Sequence, residues 1–222
     1  MVRTARASVG GVVYHVINCG NGRTRVFREE EDYQAFINLI GLACDRVVVR
    51  VLGYCLMPNH FHLVLWPRGD GDMSRWMQWL MTSHVRRYHR HYRSSGHVWQ
   101  GRFKAFPIQQ NEHLLTVLRY VEANALRAKL VRRSEEWRWS SLAEWSRRNR
   151  PAWLTTWPVD RPRQWRRLVN EPLTDTALTA LQNSVRRGAP LGQPAWAARM
   201  ARRLGLQSTL NPRGRPPKKP KK

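Results

Sequence analysis

Two histidines, His60 and His62, are separated by one phenylalanine within the apolar run YCLMPNHFHLVLW, residues 54–66. On a β-strand, residues i and i+2 project from the same face, so the two imidazoles are predicted to lie side by side. The residues between and after them, Phe61, Leu63 and Leu65, would then face the core. Two imidazoles on an exposed face form half of a divalent-metal site, and satisfied or simply exposed histidines are the alternative.

A metal site requires a third ligand, and a catalytic site also requires an open position. The segment HLLTVLRYVEANALRA is predicted to be a helix that Asn111 caps, with Glu112 in its first turn. Tyr120 and Asn124 are four residues apart and are therefore neighbours beside its apolar stripe. If this helix packs near the histidine strand, the Asn124 amide oxygen can complete the coordination, with the Tyr120 hydroxyl beside the open position. A boundary tyrosine and a solvent-facing amide are the alternatives.

The elements that must position these residues are predicted from hydrophobic periodicity. Strands are expected at residues 12–18, in VVVRVLGYCLM, in HFHLVLW and around WQGRFKAFPI, with helices over 29–45 and 73–92. The order β-α-β-β-α-β, followed by another helix, predicts an α+β fold: a ferredoxin-like antiparallel sheet with helices on one face and central first and third strands. His15 on the first strand could then lie near His60 and His62, as a substitute ligand or as a partner that orients them.

Composition divides the chain into four predicted parts. Residues 1–134 form the principal domain, and residues 135–173 form an irregular extension rich in Trp and Arg. Residues 174–210 are predicted to form a helical hairpin, which fits a DNA-binding helix-turn-helix and equally any small helical pair. The basic tail, 211–222, cannot bury a core and is predicted to be disordered.

The tail contains RGRPP, which resembles the AT-hook peptide that enters the minor groove of DNA. In this interpretation Arg213 and Arg215 lie in a narrow A·T groove, because proline and glycine keep the backbone slim and extended. The alternative is a generic polybasic tail that binds DNA without sequence preference. Both interpretations point to nucleic acid.

The charge of the chain points to a polyanionic partner. Lys and Arg number 39 against 15 Asp and Glu, so the formal net charge is +24. Nucleic acid is the first partner to consider and a membrane surface the second. No apolar run reaches the length of a spanning helix and the start lacks a signal-peptide core, so a cytoplasmic location and no membrane partner are expected. Candidate phosphate contacts are Arg86, Arg87, Arg90, Arg102 and Lys104, with solvated surface charge as the alternative for each.

Two motifs together resemble one enzyme superfamily. MPNHFHLVL resembles the His-hydrophobe-His motif of single-strand endonucleases that use a tyrosine nucleophile, and LRYVEANALRAKLV is similar to the helix with the catalytic tyrosine in single-tyrosine transposases. With WQGRFKAF, WRWSS, RRGAPLGQPAW and GRPPK, the chain resembles the bacterial REP-associated tyrosine transposases over most of residues 10–217. The resemblance implies that His60 and His62 are metal ligands, Tyr120 the nucleophile and Asn124 the third ligand, where related enzymes often have glutamine.

The resemblance also implies an activity. It predicts a transposase and single-strand endonuclease, dependent on Mg²⁺ or Mn²⁺, that cleaves and rejoins hairpin-forming repetitive extragenic palindromes through a 5′-phosphotyrosine. Such an enzyme would be nucleoid-associated and either a monomer or a homodimer. The alternative is a non-cleaving DNA-binding or regulatory protein that acts on repeated palindromes. An RNA-binding ferredoxin-like domain would instead place stacking aromatic residues where this strand has imidazoles.

Overall fold

Four antiparallel strands in the order β2-β3-β1-β4 form the sheet of the described part of the chain. The computed structural model describes residues 8–145, 147 and 150–211. Strand β1 and strand β3 are the central pair, so the predicted α+β class and the ferredoxin-like strand order are confirmed. The strands are β1 (Val13–Cys19), β2 (Val49–Met57), β3 (His60–Pro67) and β4 (Lys104–Ile108).

The helices α1 (Glu30–Arg46) and α2 (Asp72–Tyr92) cover one face of the sheet. Side chains alternate along a strand, so the apolar residues of β3 point to these helices while its histidines point away. Each fully buried Leu or Phe stabilises this layer by roughly 1.5–3 kcal/mol. The layer includes Val16, Phe36, Ile40, Phe61, Leu63, Leu65, Trp76 and Leu80.

Helix α3 (Glu112–Glu122) covers the opposite face, where the histidines lie. The Asn111 side chain accepts a hydrogen bond from the backbone N–H of His113 at 3.1 Å, which confirms the predicted cap. Gly53, at an irregularity in β2, allows the helix to approach closely, since a Cβ there would lie 2.7 Å from Cδ2 of Leu118. The missing side chain of Gly53 therefore determines how near α3 comes to the sheet.

The helix that carries Tyr120 is shorter than predicted. Helix α3 ends at Glu122, and a separate turn of helix, α4 (Asn124–Arg127), follows Ala123, whose ψ angle is 5°. The prediction of one continuous helix is therefore wrong, because a ψ near 0° turns the chain away from the α-helical path. No Gly or Pro marks this change in the sequence. It accompanies the burial of Asn124 and Ala125, which are 7% and 0% exposed.

The Trp-rich extension covers the edge strand β2. It contains the short helices α5 (Ser141–Glu144) and α6 (Trp165–Asn170). Nε1 of Trp137 donates to the Leu56 carbonyl at 2.9 Å, and Nε1 of Trp157 donates to the Leu52 carbonyl at 2.7 Å. These indole bonds occupy carbonyls of a strand that would otherwise offer an open edge for pairing.

Two helices lie in the C-terminal segment predicted to be a helical hairpin, and the residues between them lie against the other edge of the sheet. The helices are α7 (Asp175–Arg187) and α8 (Pro194–Leu204). Between them, the Leu191 N–H donates to the Pro107 carbonyl at 2.8 Å, beside strand β4, and the Leu191 carbonyl accepts from the Gln109 N–H at 2.9 Å. Both edge strands of the sheet therefore contact segments that follow residue 134.

Single-turn 3₁₀ helices lie at Asn21–Arg23, Ser134–Glu136 and Gln207–Thr209. The tail arginines, Arg213 and Arg215, lie outside the described residues. Across the described helices, none combines the length and the apolar character needed to cross a lipid bilayer.

A buried carboxylate, Asp32, ties the start of α1 to the end of α2. It accepts hydrogen bonds from Arg87 Nη1 at 2.9 Å and from the Tyr92 hydroxyl at 2.6 Å. Burial alone would raise the pKa of Asp32, but these bonds and two backbone N–H groups outweigh it and lower the pKa below its ordinary value. Because the folded pKa is depressed, the stabilisation is present above the unfolded pKa of about 4 and is lost as the pH falls through the folded pKa.

Asp32→Asn is expected to lower the free energy of unfolding at pH 7 by about 1.5–3 kcal/mol, the range for hydrogen bonds to a charged group. Below about pH 4 the difference from wild type should shrink, because the unfolded chain binds a proton there while the folded carboxylate, with its lower pKa, still resists protonation. Urea denaturation followed by tryptophan fluorescence at pH 7 and pH 3 measures both values. Asp45→Asn, an exposed position on the same helix, is the control. An unchanged difference at the two pH values would contradict the role of Asp32.

Candidate active site

Three imidazoles meet on the face of the sheet that α3 covers. The ring centroids of His60 and His62 are 5.0 Å apart, so the structure places the predicted pair together. His15 on β1 stacks against His62 with ring centroids 5.1 Å apart. The antiparallel pairing of β1 with β3 brings His15 to this position, since His15 is opposite Val64 and Ile17 is opposite His62.

A hydrogen bond at Nδ1 orients each ring of the β3 pair. Nδ1 of His60 lies 2.7 Å from Oδ1 of Asn59, and Nδ1 of His62 lies 2.9 Å from Nε2 of His15. Neither bond uses the Nε2 atom of His60 or His62. Metal-ligating histidines are commonly held in this way, with one ring nitrogen bonded to a neighbour and the other directed to the ion.

Burial keeps these imidazoles neutral. Burial and then the charge of Arg127 lower the pKa of His15 to about 3 and the pKa of His60 to about 4. Burial is also the main cause that lowers the pKa of His62 well below its ordinary value, and the neighbouring His15 and His60 add to it. A neutral imidazole retains the lone pair that a metal ion requires, so the cluster can coordinate an ion at neutral pH.

Tyr120 projects from α3 toward the imidazoles. Its ring centroid is 5.9 Å from that of His62 and 6.2 Å from that of His15. Asn124 is buried, and its Nδ2 group donates to the Tyr120 carbonyl at 3.4 Å. The structure thus brings Tyr120 beside the histidines and holds Asn124 one turn further along, as the spacing of the two residues predicted.

Arg127 belongs to the same site, and sequence reasoning missed it. Its guanidinium carbon lies 3.6 Å from the centroid of the Tyr120 ring, and its Nη2 donates to Oδ1 of Asn124 at 3.1 Å. Arg127 follows Tyr120 by seven residues and Asn124 by three, a spacing that would have placed the three on one helical face. In a chain with 39 basic residues, one more arginine did not stand out.

The chemistry of the predicted metal ligands is of a kind that a divalent cation accepts. Within residues 8–145, 147 and 150–211, no group of three or more His, Cys, Asp or Glu side chains could hold a metal ion. The candidate donors are instead the Nε2 atoms of His60 and His62 and the Oδ1 atom of Asn124, which now accepts from Arg127. Such a mixed nitrogen and oxygen set is compatible with Mg²⁺ or Mn²⁺.

Two of the arginines predicted to contact phosphate, Arg86 and Arg102, line one groove. The groove has a volume of about 940 Å³ and lies between α2 and residues 96–103. Its floor is apolar and includes Met81, Trp99 and Phe103. The structure therefore brings Arg86 and Arg102 together, although 16 residues separate them in the chain.

The other predicted contacts are dispersed. Arg87 forms an ion pair with Asp32 at 2.9 Å, so part of its charge is neutralised within the protein. Arg90 is exposed near the end of α2. Lys104 lines a second cavity, of about 470 Å³, together with Arg186 and Arg187 from the end of α7. Sequence reasoning had not connected Lys104 with these two arginines, because only the folded position of α7 beside β4 brings them together.

A comparison with protein families identifies the chain. The profile of the family described as "Transposase IS200 like" matches residues 8–124, which is more than half of the sequence. The chain belongs to the IS200-like transposase family. The matched range contains His15, His60, His62, Tyr120 and Asn124, and it ends three residues before Arg127. Membership of this family means that the IS200-like transposase acts as a DNA transposase.

A solved structure shares the fold of this IS200-like transposase. A REP-associated tyrosine transposase bound to a REP hairpin is 19% identical, with a TM-score of 0.52, and the match covers 79% of this chain and 100% of that one. A protein from Deinococcus radiodurans R1, provisionally assigned as a transposase, is 18% identical with a TM-score of 0.40, and the match covers 55% of this chain and 96% of that one. No curated protein sequence matches the chain significantly.

The imidazole cluster is expected to remain uncharged throughout the neutral range. In metal-free protein, the ring ¹H–¹⁵N signals of His15 and His60 should titrate with midpoints below pH 5, because burial and Arg127 lower both pKa values. NMR of ¹⁵N-histidine-labelled protein measures the midpoints, and His15→Gln and His60→Gln assign the signals. A midpoint between pH 6 and pH 7 for either ring would contradict the buried geometry.

Proposed function

We propose that this chain is a metal-dependent endonuclease and strand transferase for single-stranded, hairpin-forming DNA, with Tyr120 as its nucleophile. The observation that carries the proposal is the position of Tyr120, whose ring centroid lies 5.9 Å from that of His62 beside the His-Phe-His strand. A tyrosine ring next to a pair of oriented imidazoles is an arrangement suited to phosphoryl transfer. Membership of a transposase family supports the reaction class.

In the proposed reaction, the Tyr120 oxygen attacks the scissile phosphorus, and the bond from phosphorus to the 3′ oxygen breaks. The phenol proton ends on the released 3′-hydroxyl, and the 5′ side of the DNA becomes linked to Tyr120. A second 3′-hydroxyl can reverse the step and join a new strand, since the phosphodiester energy is conserved in the covalent link. No nucleotide cofactor is required.

His60, His62 and Asn124 would hold the cation, which we propose to be Mg²⁺ or Mn²⁺. When bound, the ion supplies Lewis-acid polarisation of a non-bridging phosphate oxygen. The chain contributes orientation: Asn59 and His15 fix the rings of His60 and His62 through their Nδ1 atoms. Burial keeps both rings in the neutral form that binds metal.

The proposed substrate is a repetitive extragenic palindrome folded into a hairpin with adjoining single-stranded DNA. A protein of the same fold has been solved bound to a REP hairpin, and the motifs quoted above resemble that branch. The net charge of +24 favours such a polyanion. We propose that Arg86, Arg90, Arg102 and Lys104 contact its phosphates, with additional contacts from Arg213 and Arg215 in the tail.

Removal of the Tyr120 hydroxyl should abolish cleavage. With Mn²⁺ and an end-labelled hairpin oligonucleotide from palindromic repeats beside the gene, the wild-type protein should produce a nick and a covalent adduct on a denaturing gel. Tyr120→Phe keeps the ring that packs on the imidazoles but should give neither product. Tyr88→Phe, on the opposite face of the sheet, is the matched control. Hairpin binding without any nick by the wild type would favour the repeat-binding regulator instead.

Loss of the proposed ligands should remove metal binding and cleavage together. EDTA should stop the reaction, and His62→Ala or Asn124→Ala should slow it by about 100-fold or more, as expected when an active-site electrostatic contact is lost. Mn²⁺ affinity, followed by electron paramagnetic resonance, should fall in both variants. Asn124→Gln retains an amide oxygen and should keep part of both properties.

His91→Ala replaces an exposed histidine on α2, away from β3, and is the control for these variants. Full cleavage in the presence of EDTA would contradict metal dependence. Unchanged Mn²⁺ affinity in His62→Ala would show that the ion binds elsewhere.

A further inference from the structure

Arg127 is the cationic group that the structure places at the proposed nucleophile. Its guanidinium carbon lies 3.6 Å from the centroid of the Tyr120 ring, so the charge stacks on the aromatic face. One of its N–H groups donates to Oδ1 of Asn124 at 3.1 Å. The side chain therefore contacts both of the residues that α3 and α4 contribute to the site.

No carboxylate neutralises this guanidinium in the described part of the chain. The ion pairs found there involve other arginines, among them Arg75, Arg87 and Arg147. The neighbours of Arg127 are instead a phenol, an amide and neutral imidazoles. A cation among uncharged groups gives this part of the site a net positive charge before any metal ion binds.

The chemistry of the guanidinium matches an anion with several oxygens. It carries five N–H donors in a planar fork, and the hydrogen bond to Asn124 uses one of them. Arg127 is exposed as a residue, so a DNA strand can reach it from solvent. A planar fork of donors binds phosphate oxygens in pairs, which the point charge of a lysine cannot do.

We propose that Arg127 is a catalytic residue that binds the scissile phosphate beside Tyr120. The inference rests on the proposed function and adds a residue to it. Two guanidinium N–H groups donate to the non-bridging oxygens while the bond from the Tyr120 oxygen to phosphorus forms and the bond to the 3′ oxygen breaks. Arg127 itself stays protonated throughout, and its charge balances the negative charge of the phosphodiester.

The alternative is that Arg127 only fixes Tyr120 and Asn124 in place. The two roles differ in their dependence on phosphate charge. A phosphate-binding arginine no longer strengthens DNA binding when the scissile phosphate is neutral. A structural arginine contributes equally to the binding of a charged and a neutral phosphate. A methylphosphonate at the scissile position, which removes the charge with little change in shape, separates these cases.

The test measures binding in the non-cleaving Tyr120→Phe protein, with EDTA present, by fluorescence anisotropy. The probes are two hairpin oligonucleotides that differ only at the scissile position, mapped beforehand by wild-type cleavage: one phosphodiester and one methylphosphonate. With Arg127 present, the diester should bind about 10-fold or more tightly, as expected for charge-assisted hydrogen bonds. With Arg127→Gln added, the two probes should bind equally. Arg132→Gln, an exposed arginine nearby, should preserve the preference.

Cleavage by the otherwise wild-type protein provides the second measurement. Arg127→Gln should lower the single-turnover rate by about 10²–10³-fold, the range for loss of one transition-state donor. Arg127→Lys keeps the charge without the fork and should be intermediate in rate and in preference for the diester. Folding of both variants is checked by circular dichroism. If Arg127→Gln does not fold, Arg127→Lys is used for the comparison instead.

Three outcomes would overturn the proposal. Arg127→Gln that cleaves at the wild-type rate shows that the residue is not needed. Arg127→Gln that loses cleavage but keeps the preference for the charged probe shows a structural role only. If the wild type itself does not cleave, the proposed function is wrong. The proposal for Arg127 then fails with it, because there is no scissile phosphate to bind.

Discussion

The antiparallel pairing of β1 with β3 is the constraint on which the rest of this structure depends. It places His15 within 2.9 Å of His62 while the alternate residues of β3 bury themselves under α1 and α2. A slip of one residue would exchange the two faces, so that imidazoles entered the core and Phe61 met solvent or α3. The burial of the apolar residues and the orientation of the site are therefore enforced by the same hydrogen-bond register.

A buried acid links the nucleophile helix to the Trp-rich extension. Glu122 is fully buried two residues after Tyr120, and its carboxylate oxygens accept from the Ser141 hydroxyl and from Nε1 of Trp165, each at 2.6 Å. Burial raises the pKa of Glu122 in spite of these donors. Helix α3 therefore packs on the sheet at Gly53, through Leu118, and on the extension through Glu122. The extension thus helps to position Tyr120.

Electrostatics connects the composition of the chain to its site. Most of the excess positive charge lies on exposed arginines and lysines, which attract DNA without selecting a particular phosphate. The site differs because it is built from neutral imidazoles, a phenol and an amide around a single guanidinium, without a described carboxylate partner for Arg127. Arg127 is reachable from solvent, and no acidic neighbour within the described residues cancels its charge. In our proposal, long-range attraction and local phosphate binding are therefore separate tasks for separate residues.

The sequence by itself determined the features that depend on residues close together in the chain, namely the strands and helices and the faces of their side chains. Alternation in β3 placed His60 and His62 on one face, and periodicity predicted the strands, α1, α2 and the two C-terminal helices, because these patterns are read within a few residues. Only tertiary structure decided the break at Ala123, the contact between His15 and His62, and the ion pair that engages Arg87. These features arise from segments that meet across 47 or more residues, or from helix packing that local propensity does not encode. The spacing of Arg127 was visible in the sequence, but its isolation from carboxylates was not.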